Sequence, residues 1–322
     1  MHAIRIHRHG GAEVLQWEAV EVGEPGPGEV RLRHAAIGLN FIDIYERRGL
    51  YQTALPAVLG KEAAGVVEAL GSGVKHINVG DRVAYAADTS GAYRESRVMP
   101  AARLVRIPDS LDDQQAAAVI LKGLTAQILL RQTYRVRRGD VLLIHAAAGG
   151  VGSILVQWAK HLGAKVIAVL GSETKAARAR ELGADHAVLD SEDWVAATKS
   201  ATAGRGVDVV YDSVGKQTFM RSLDCLRARG LMVTYGNASG AVEPFAPLEL
   251  TRRGSLYVTR PTLFHYVATR PALARAAQEL FDVLARSVVR VQIGQSYPLR
   301  EAARAHMDLE SRHTIGSTVL VP

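Results

Sequence analysis

One stretch limits what this chain can become. Val141-Leu-Leu-Ile-His-Ala-Ala-Ala-Gly-Gly-Val-Gly152 runs directly into Ser153-Ile-Leu-Val-Gln-Trp-Ala-Lys-His-Leu162. Four consecutive apolar residues, Val141 to Ile144, fit a strand covered on both faces, as in parallel sheets. Beyond the small-residue turn, Ile154, Leu155, Trp158 and Leu162 recur at helical spacing, which predicts an amphipathic helix. A strand, a turn without bulky side chains and a helix N-terminus together offer backbone N–H groups to a pyrophosphate. Against the G-x-G-x-x-G pattern, Ala147 replaces the first glycine, while Gly149 and Gly152 keep the second and third. Such turns are common in α/β proteins, so the neighbouring segments decide what this one means.

At 322 residues the chain is long enough for two domains, because single cores stop growing at about 250–300 residues. Hydrophobic and charged contents of 48% and 22% describe an ordinary globular protein. No apolar run approaches the roughly 18 residues of a membrane span, and Met1-His-Ala-Ile-Arg does not read as a signal peptide. The single cysteine, Cys225, excludes an internal disulfide framework, and the cytoplasm is the expected address. The formal charge of +7 is dispersed; Arg47-Arg48, Arg137-Arg138 and Arg252-Arg253 lie far apart in sequence. No basic stripe forms, so neither a nucleic-acid nor a membrane partner is expected.

Residues 1 to about 122 read as β-rich. Ala3-Ile-Arg-Ile-His and Glu29-Val-Arg-Leu-Arg-His alternate apolar and polar residues, and Gly65–Leu70 and Val79–Tyr85 follow with glycine turns between them. A helix is expected from Asp112 to Tyr134. From Val141 the pattern switches to strand–helix alternation, with strands over 141–147, 165–170, 186–189, 207–212, 231–236 and 255–260. Helices fall between, including Lys175–Leu182 and Lys216–Arg229. That alternation predicts a parallel, doubly wound sheet. A further helix over Ala272–Ala285 and strands near Val288–Val291 and Thr318–Val321 suggest that the tail returns to the β domain.

This order of motifs resembles the medium-chain dehydrogenase/reductase superfamily, and within it the zinc-free quinone oxidoreductases of the zeta-crystallin type. The strings that carry the likeness are His9-Gly-Gly-Ala-Glu-Val-Leu15, Ile37-Gly-Leu-Asn-Phe-Ile-Asp-Ile-Tyr45, Gly49-Leu-Tyr51, Gly60-Lys-Glu-Ala-Ala-Gly65, Leu121-Lys-Gly-Leu-Thr-Ala126, His145–Gly152, Val210-Tyr-Asp-Ser-Val-Gly215 and Gly254–Pro261. The resemblance implies an α/β protein: a GroES-like β-rich catalytic domain over 1–122, completed by 263–322, and a Rossmann domain with a doubly wound parallel sheet over 123–262. It also implies NADPH as cofactor, hydride or electron transfer from it to a quinone in the cleft between the domains, and a homodimer joined through the strand Gly254–Arg260.

Cofactor choice is read after the second strand. An NAD-type fold usually carries an acid there for the ribose hydroxyls. Here Lys165–Leu170 ends in Gly171-Ser172, followed by Glu173, Thr174 and Lys175. Gly171 removes bulk, Ser172 can donate a hydrogen bond, and Lys175 can pair with a 2′-phosphate, with Arg178 one turn on. Glu173 could instead reach a ribose. Ser191 stands where the family often places an adenine-stacking tyrosine.

The resemblance assigns further cofactor contacts to Asn40, Phe41, Tyr45, Lys122, Thr125, Gly149, Gly150, Val151, Gly152, Ser213, Gly236, Asn237, Ser239, Arg260 and Arg312. Asn40, Tyr45 and Tyr51 are the expected positioning residues of the substrate pocket, and each is equally at home as turn or core packing in a β domain. Zinc members of the superfamily use a cysteine near the position of Asn40, and with Asn40 there and Cys225 far along the chain no metal site is expected. Two alternatives stand beside quinone reduction. One is reduction of an enal or enone carbon–carbon double bond, with Tyr51 polarising the carbonyl. The other is a non-catalytic, crystallin-like protein that binds NADPH or RNA.

Overall fold

The computed structural model describes residues 1–311 and 314–322. Arg312 lies outside the described residues. The chain divides into two compact units: Met1–Leu124 with Val267–Phe281 and Val291–Pro322, and Thr125–Tyr266 with Asp282–Arg290. The returning tail is therefore split, because 282–290 packs with the second unit.

Strands β1 (His2–Ile6), β2 (Gln16–Ala19), β3 (Glu29–Leu39), β4 (Ala57–Val58), β5 (Glu62–Leu70), β6 (Arg82–Ala86), β7 (Ser96–Pro100) and β8 (Leu104–Arg106) open the chain. Strands β9 (Val141–His145), β10 (Lys165–Leu170), β11 (His186–Leu189), β12 (Val207–Asp212), β13 (Leu226–Thr234) and β14 (Tyr257–Thr259) follow. The chain closes with β15 (Ile293–Pro298) and β16 (Ser317–Val321).

In the first unit β3 is the organising strand. It alternates inward and outward side chains at its start and is buried throughout at its end, pairing antiparallel with β5, β7 and β16. Leu32, Ile37, Leu39, Tyr85, Tyr93 and Leu320 share its apolar core. β15 joins β16 in parallel, so the tail does complete this sheet, but through Ile293–Pro298 rather than the expected Val288–Val291. Where β3 ends, the chain turns into helix α1 (Phe41–Arg47). Periodicity does not announce this helix, yet Asn40-x-x-Asp43 has the spacing of a capping box. The Asn40 backbone N–H donates to Asp43 Oδ2 at 2.9 Å, and Gly49 (φ 78°) carries the chain away.

The second unit is a six-stranded parallel sheet in the order β11-β10-β9-β12-β13-β14. The chain runs outward from β9 in both directions, so the end of β9 is the switch point where doubly wound folds bind ligands. Helix α2 (Asp113–Ile128), continued by a π-turn over Leu129–Thr133, leads into this unit. Helices α3 (Gly150–His161) and α4 (Glu173–Glu181) follow β9 and β10. Two expectations need correction. The helix expected over Lys216–Arg229 is only Phe219–Cys225, because Leu226 is buried beside Val207 and opens β13. Arg227, which a longer helix would carry, reaches Asp208 at 2.6 Å instead. The strand expected over 231–236 therefore starts five residues earlier. Among the described residues no helix is long and apolar enough to cross a membrane.

Candidate functional site

The turn after β9 has the geometry a pyrophosphate needs. Ala146 is left-handed (φ 51°), which folds the chain back so that the Gly149 N–H reaches Ala146 O at 2.9 Å. Gly149 is the N-cap of α3, and no side chain caps the helix. The first-turn N–H groups of Gly150, Val151 and Gly152 precede the first helical bond, in which the Ser153 N–H donates to Gly149 O at 2.9 Å, the arrangement that favours an anion. A Cβ on Gly152 would lie 2.3 Å from Ala146 O and 2.8 Å from Ala147 Cα, so only glycine fits there. Gly149 is less demanding, with Ala146 O at 3.2 Å. His145, at the end of β9, is a core residue: its Nε2 is 2.9 Å from Ser222 Oγ, its ring meets Trp194 edge-on, and burial lowers its pKa.

The remaining expected contacts of this unit gather at the carboxyl ends of the same strands. After β10, Gly171 is exposed and Ser172 caps α4, its Oγ accepting the Lys175 N–H at 3.4 Å while its own hydroxyl proton stays available. Lys175 sits half-buried in the first turn. Arg178 is engaged with Glu181 at 2.8 Å, and Glu173 faces Arg180 at 3.8 Å. Ser191, in the turn after β11, is exposed.

The loops after β12 and β13 brace one another. A Cβ on Gly236 would meet Ser213 O at 2.4 Å. Ser239 Oγ donates to Val214 O at 2.8 Å and accepts the Gln217 N–H at 3.0 Å, so its hydroxyl is spent on the loop. The buried Asp212, which the sequence reading did not single out, ties the loop further. Its Oδ1 accepts the N–H groups of Val214 (2.7 Å) and Gly215 (3.1 Å), and its Oδ2 accepts from Thr218 Oγ1 (2.8 Å). Asn237 is buried, and Arg260, beyond β14, donates to Thr234 Oγ1 (3.0 Å) and Gly236 O (3.3 Å).

In the first unit a second cluster forms around a residue the sequence reading missed. Glu62, at the start of β5, has no exposed surface. Its Oε1 accepts from Asn40 Nδ2 at 2.8 Å and from Lys122 Nζ at 2.5 Å, and its Oε2 accepts the Leu121 N–H at 2.6 Å. Nothing local announces this hub, since Lys122 is 60 residues away in sequence. On α1, the Phe41 and Tyr45 rings lie 6.2 Å apart, and Tyr45 meets the Tyr51 ring edge-on at 5.4 Å. Thr125, on α2 but belonging to the second unit, is half-buried.

A polar network underlies α1. Tyr93 Oη donates to Asp43 Oδ2 at 2.9 Å and lies 2.9 Å from His306 Nε2. Arg47, fully buried, reaches His306 Nδ1 (3.1 Å) and both oxygens of Glu310 (2.8 and 2.9 Å). Burial, reinforced by Glu46, pushes the Asp43 carboxyl up to about 7. Burial and the Arg47 charge lower His306 to about 3, which keeps it neutral.

A Rossmann-ordered parallel sheet with an uncapped glycine turn at its switch point, in a chain whose other unit is a β-rich barrel-like sheet, defines a nicotinamide-dependent dehydrogenase or reductase class. The comparisons with known proteins agree. An alcohol dehydrogenase GroES-like domain matches residues 26–109, and a zinc-binding dehydrogenase domain matches residues 150–280. The chain is 52% identical over 321 residues to a quinone oxidoreductase of Pseudomonas aeruginosa, covering 99% of both. It is 48% identical over 325 residues to a 2-haloacrylate reductase of a Burkholderia species, covering 98% of both. The solved complex of Escherichia coli quinone oxidoreductase with NADPH matches with a TM-score of 0.98 at 49% identity, over 100% of each chain. The chain belongs to the quinone oxidoreductase family of the medium-chain dehydrogenases/reductases.

The name of the second matching domain raises zinc, and the donor set does not fit it. Among the described residues no three His, Cys, Asp or Glu side chains come together in a metal-holding group. Cys225 is buried in the second unit, where burial pushes its thiol up to about 12. Glu62, the carboxylate beside Asn40, is already neutralised by the Lys122 ammonium.

Proposed function

We propose that this chain is an NADPH-dependent quinone oxidoreductase. The observation that carries the reading is the Gly152 turn followed, one strand later, by Gly171-Ser172 and Lys175 in place of an acidic strand end. The first-turn N–H groups of α3, at Gly150, Val151 and Gly152, take the pyrophosphate. Lys175 and the Ser172 hydroxyl take the 2′-phosphate, while Gly171 and Ser191 leave room at the adenosine. Ser213, Gly236, Asn237 and Arg260 line the cofactor's path at the strand ends, with Ser239 holding that loop in shape. Arg312 is proposed as a further cofactor contact on the resemblance alone.

Bound NADPH supplies a hydride. A quinone that accepts it, together with one proton, becomes the hydroquinone and leaves NADP+. Quinones are conjugated and need little activation, so the protein's task is placement. Asn40, Phe41, Lys122 and Thr125 are assigned to the nicotinamide side, and the Tyr45–Tyr51 edge to a planar acceptor. A second reading, reduction of an activated carbon–carbon double bond, is favoured by the relative named 2-haloacrylate reductase and by the Tyr51 hydroxyl. Comparing NADPH consumption with a benzoquinone and with a simple enone separates the two. Faster turnover of the enone overturns the quinone assignment.

The homodimer belongs to the same proposal. β14 is the edge of the parallel sheet, only three residues long, and Tyr257 on it is 58% exposed. An open apolar edge of this kind supports pairing with a second copy. The cytoplasm as its address rests on the single, buried cysteine.

A further inference from the structure

We infer that His306, on the tail helix Ala302–Glu310, is a positioning residue for the quinone contact: it sets the direction of a hydrogen-bond chain that fixes how helix α1 presents Tyr45. The inference rests on the proposed reaction, in which the Tyr45–Tyr51 edge takes the acceptor, and names a residue that acts on that edge without touching the substrate.

Helix α1 has only seven residues, too few to hold itself by its own hydrogen bonds. Beside Ile44, the side chains it buries are largely polar: Asp43, Glu46 and Arg47. Lys61 Nζ lies 2.7 Å from Glu46 Oε1, Ser90 Oγ donates to Glu46 Oε2 at 2.5 Å, and Arg47 Nε donates to Gly10 O at 3.2 Å. Apolar packing is non-directional and lets a short helix turn in its seat, whereas hydrogen bonds fix its rotation about the axis. Tyr45 lies between Asp43 and Arg47, so whatever fixes those two also fixes where its ring meets Tyr51.

Arg47 and Asp43 are joined through His306 and Tyr93, and this chain runs only one way. A guanidinium donates and never accepts, so His306 Nδ1, 3.1 Å from an Arg47 nitrogen, is the bare one. Burial and the Arg47 charge lower the His306 pKa to about 3, so the ring is neutral and its one proton sits on Nε2. That N–H donates to Tyr93 Oη at 2.9 Å, which leaves the phenol proton for Asp43 Oδ2, also at 2.9 Å. Asp43 Oδ2 accepts the Asn40 N–H as well, so it is an acceptor whether or not the carboxyl carries a proton. The order is Arg47, His306, Tyr93, Asp43, each donating to the next. His306 is the member with two tautomers. A proton on Nδ1 would oppose Arg47 and draw the phenol proton onto Nε2, away from Asp43. Arg47 excludes that tautomer, and both oxygens of Glu310 hold its guanidinium against the tail helix at 2.8 and 2.9 Å.

Steady-state NADPH–benzoquinone kinetics and NADPH titration of His306→Leu, His306→Gln and Tyr93→Phe test this, with amide hydrogen exchange over residues 41–47 as a readout besides activity. His306→Leu removes both of its hydrogen bonds and should raise KM for benzoquinone about five- to tenfold. NADPH affinity, assigned mainly to the α3 turn and Lys175, should stay within about twofold. Glutamine keeps one acceptor and one donor on a planar group, so His306→Gln should return KM to within about twofold of the wild-type value. A glutamine variant as impaired as the leucine one, or an equal loss of NADPH affinity in His306→Leu, makes His306 a packing residue and overturns the inference. So does a leucine variant with unchanged KM. If His306→Leu does not fold, Tyr93→Phe keeps the ring and cuts the chain at the phenol. It should raise KM by a similar factor, and an unchanged KM there overturns the inference. Exchange over 41–47 should quicken in the leucine variant and return to the wild-type rate in the glutamine one; equal rates in all three proteins show that the chain does not hold α1. A wild-type protein that oxidises NADPH with no quinone would instead refute the proposed function, and the exchange rates would still decide whether His306 holds α1.

Discussion

Replacing Gly152 with alanine tests the dinucleotide turn at its tightest point. The new Cβ would sit 2.3 Å from Ala146 O and 2.8 Å from Ala147 Cα, both backbone atoms of the turn itself. Ordinary carbon–oxygen contact needs more than about 1 Å of further separation, and a backbone carbonyl, unlike a side chain, cannot swing aside. Ala146 is already left-handed at φ 51°, and its carbonyl accepts the Gly149 N–H, so relief must come from moving the N-terminus of α3 off β9. Overpacking of this kind costs about 1–3 kcal/mol. Expressed as binding, that weakens NADPH by about 5- to 150-fold. Gly149→Ala is the matched control: its one close neighbour, Ala146 O, stands at 3.2 Å, so a loss of less than about threefold is expected there. The assay is nicotinamide fluorescence titration, with thermal unfolding run alongside to separate binding from stability. If Gly152→Ala binds NADPH as tightly as Gly149→Ala, the α3 N-terminus is not the pyrophosphate site.

Three further outcomes follow from the same structure. Lys175→Ala should weaken NADPH by about 10- to 100-fold, the worth of a charge-assisted hydrogen bond, and leave NADH within about twofold; an equal loss for both would make Lys175 a surface cation. Asp43 holds its proton up to about pH 7 when folded but releases it near 3.8 when unfolded, so its contribution to stability is complete at acid pH and disappears as pH rises to 7. Asp43→Asn keeps an acceptor for Tyr93 and Asn40, and urea midpoints should show the wild-type protein losing ground to it between pH 5 and 7.5; parallel profiles would contradict the shift. Tyr257→Asp places charge on the open edge of β14 and should yield a 34.6 kDa species in sedimentation where the wild-type protein runs at twice that mass; a monomeric wild-type protein would refute the edge-strand dimer.

The sequence spoke most clearly where function is local. The β9–turn–α3 unit is contiguous, its spacing is rigid, and the strand–helix alternation around it places the parallel sheet. The boundaries that shifted were set by tertiary contacts. Leu226 and Arg227 sit in a helix-compatible run, yet the buried slot beside Val207 and the Asp208 carboxylate draw them into β13. Val288–Val291 is apolar enough for a strand, but the ladder with β16 forms further on, at Ile293–Pro298. Helix α1 was legible only through the Asn40-x-x-Asp43 spacing. Glu62 was not legible at all, because its partners come from β3 and α2 and meet only once the sheet has closed. Tyr93, His306 and Asp212 were hidden for the same reason: a buried polar network has no period along the chain.

The most direct test of the central claim is a count of product against cofactor. Purified protein, a limiting amount of NADPH and excess benzoquinone should give one hydroquinone per NADPH consumed, with kcat/KM for NADPH at least tenfold above that for NADH, as one well-placed ionic contact to the 2′-phosphate requires. NADPH oxidation no faster than the protein-free mixture, or equal use of NADH, would contradict the account.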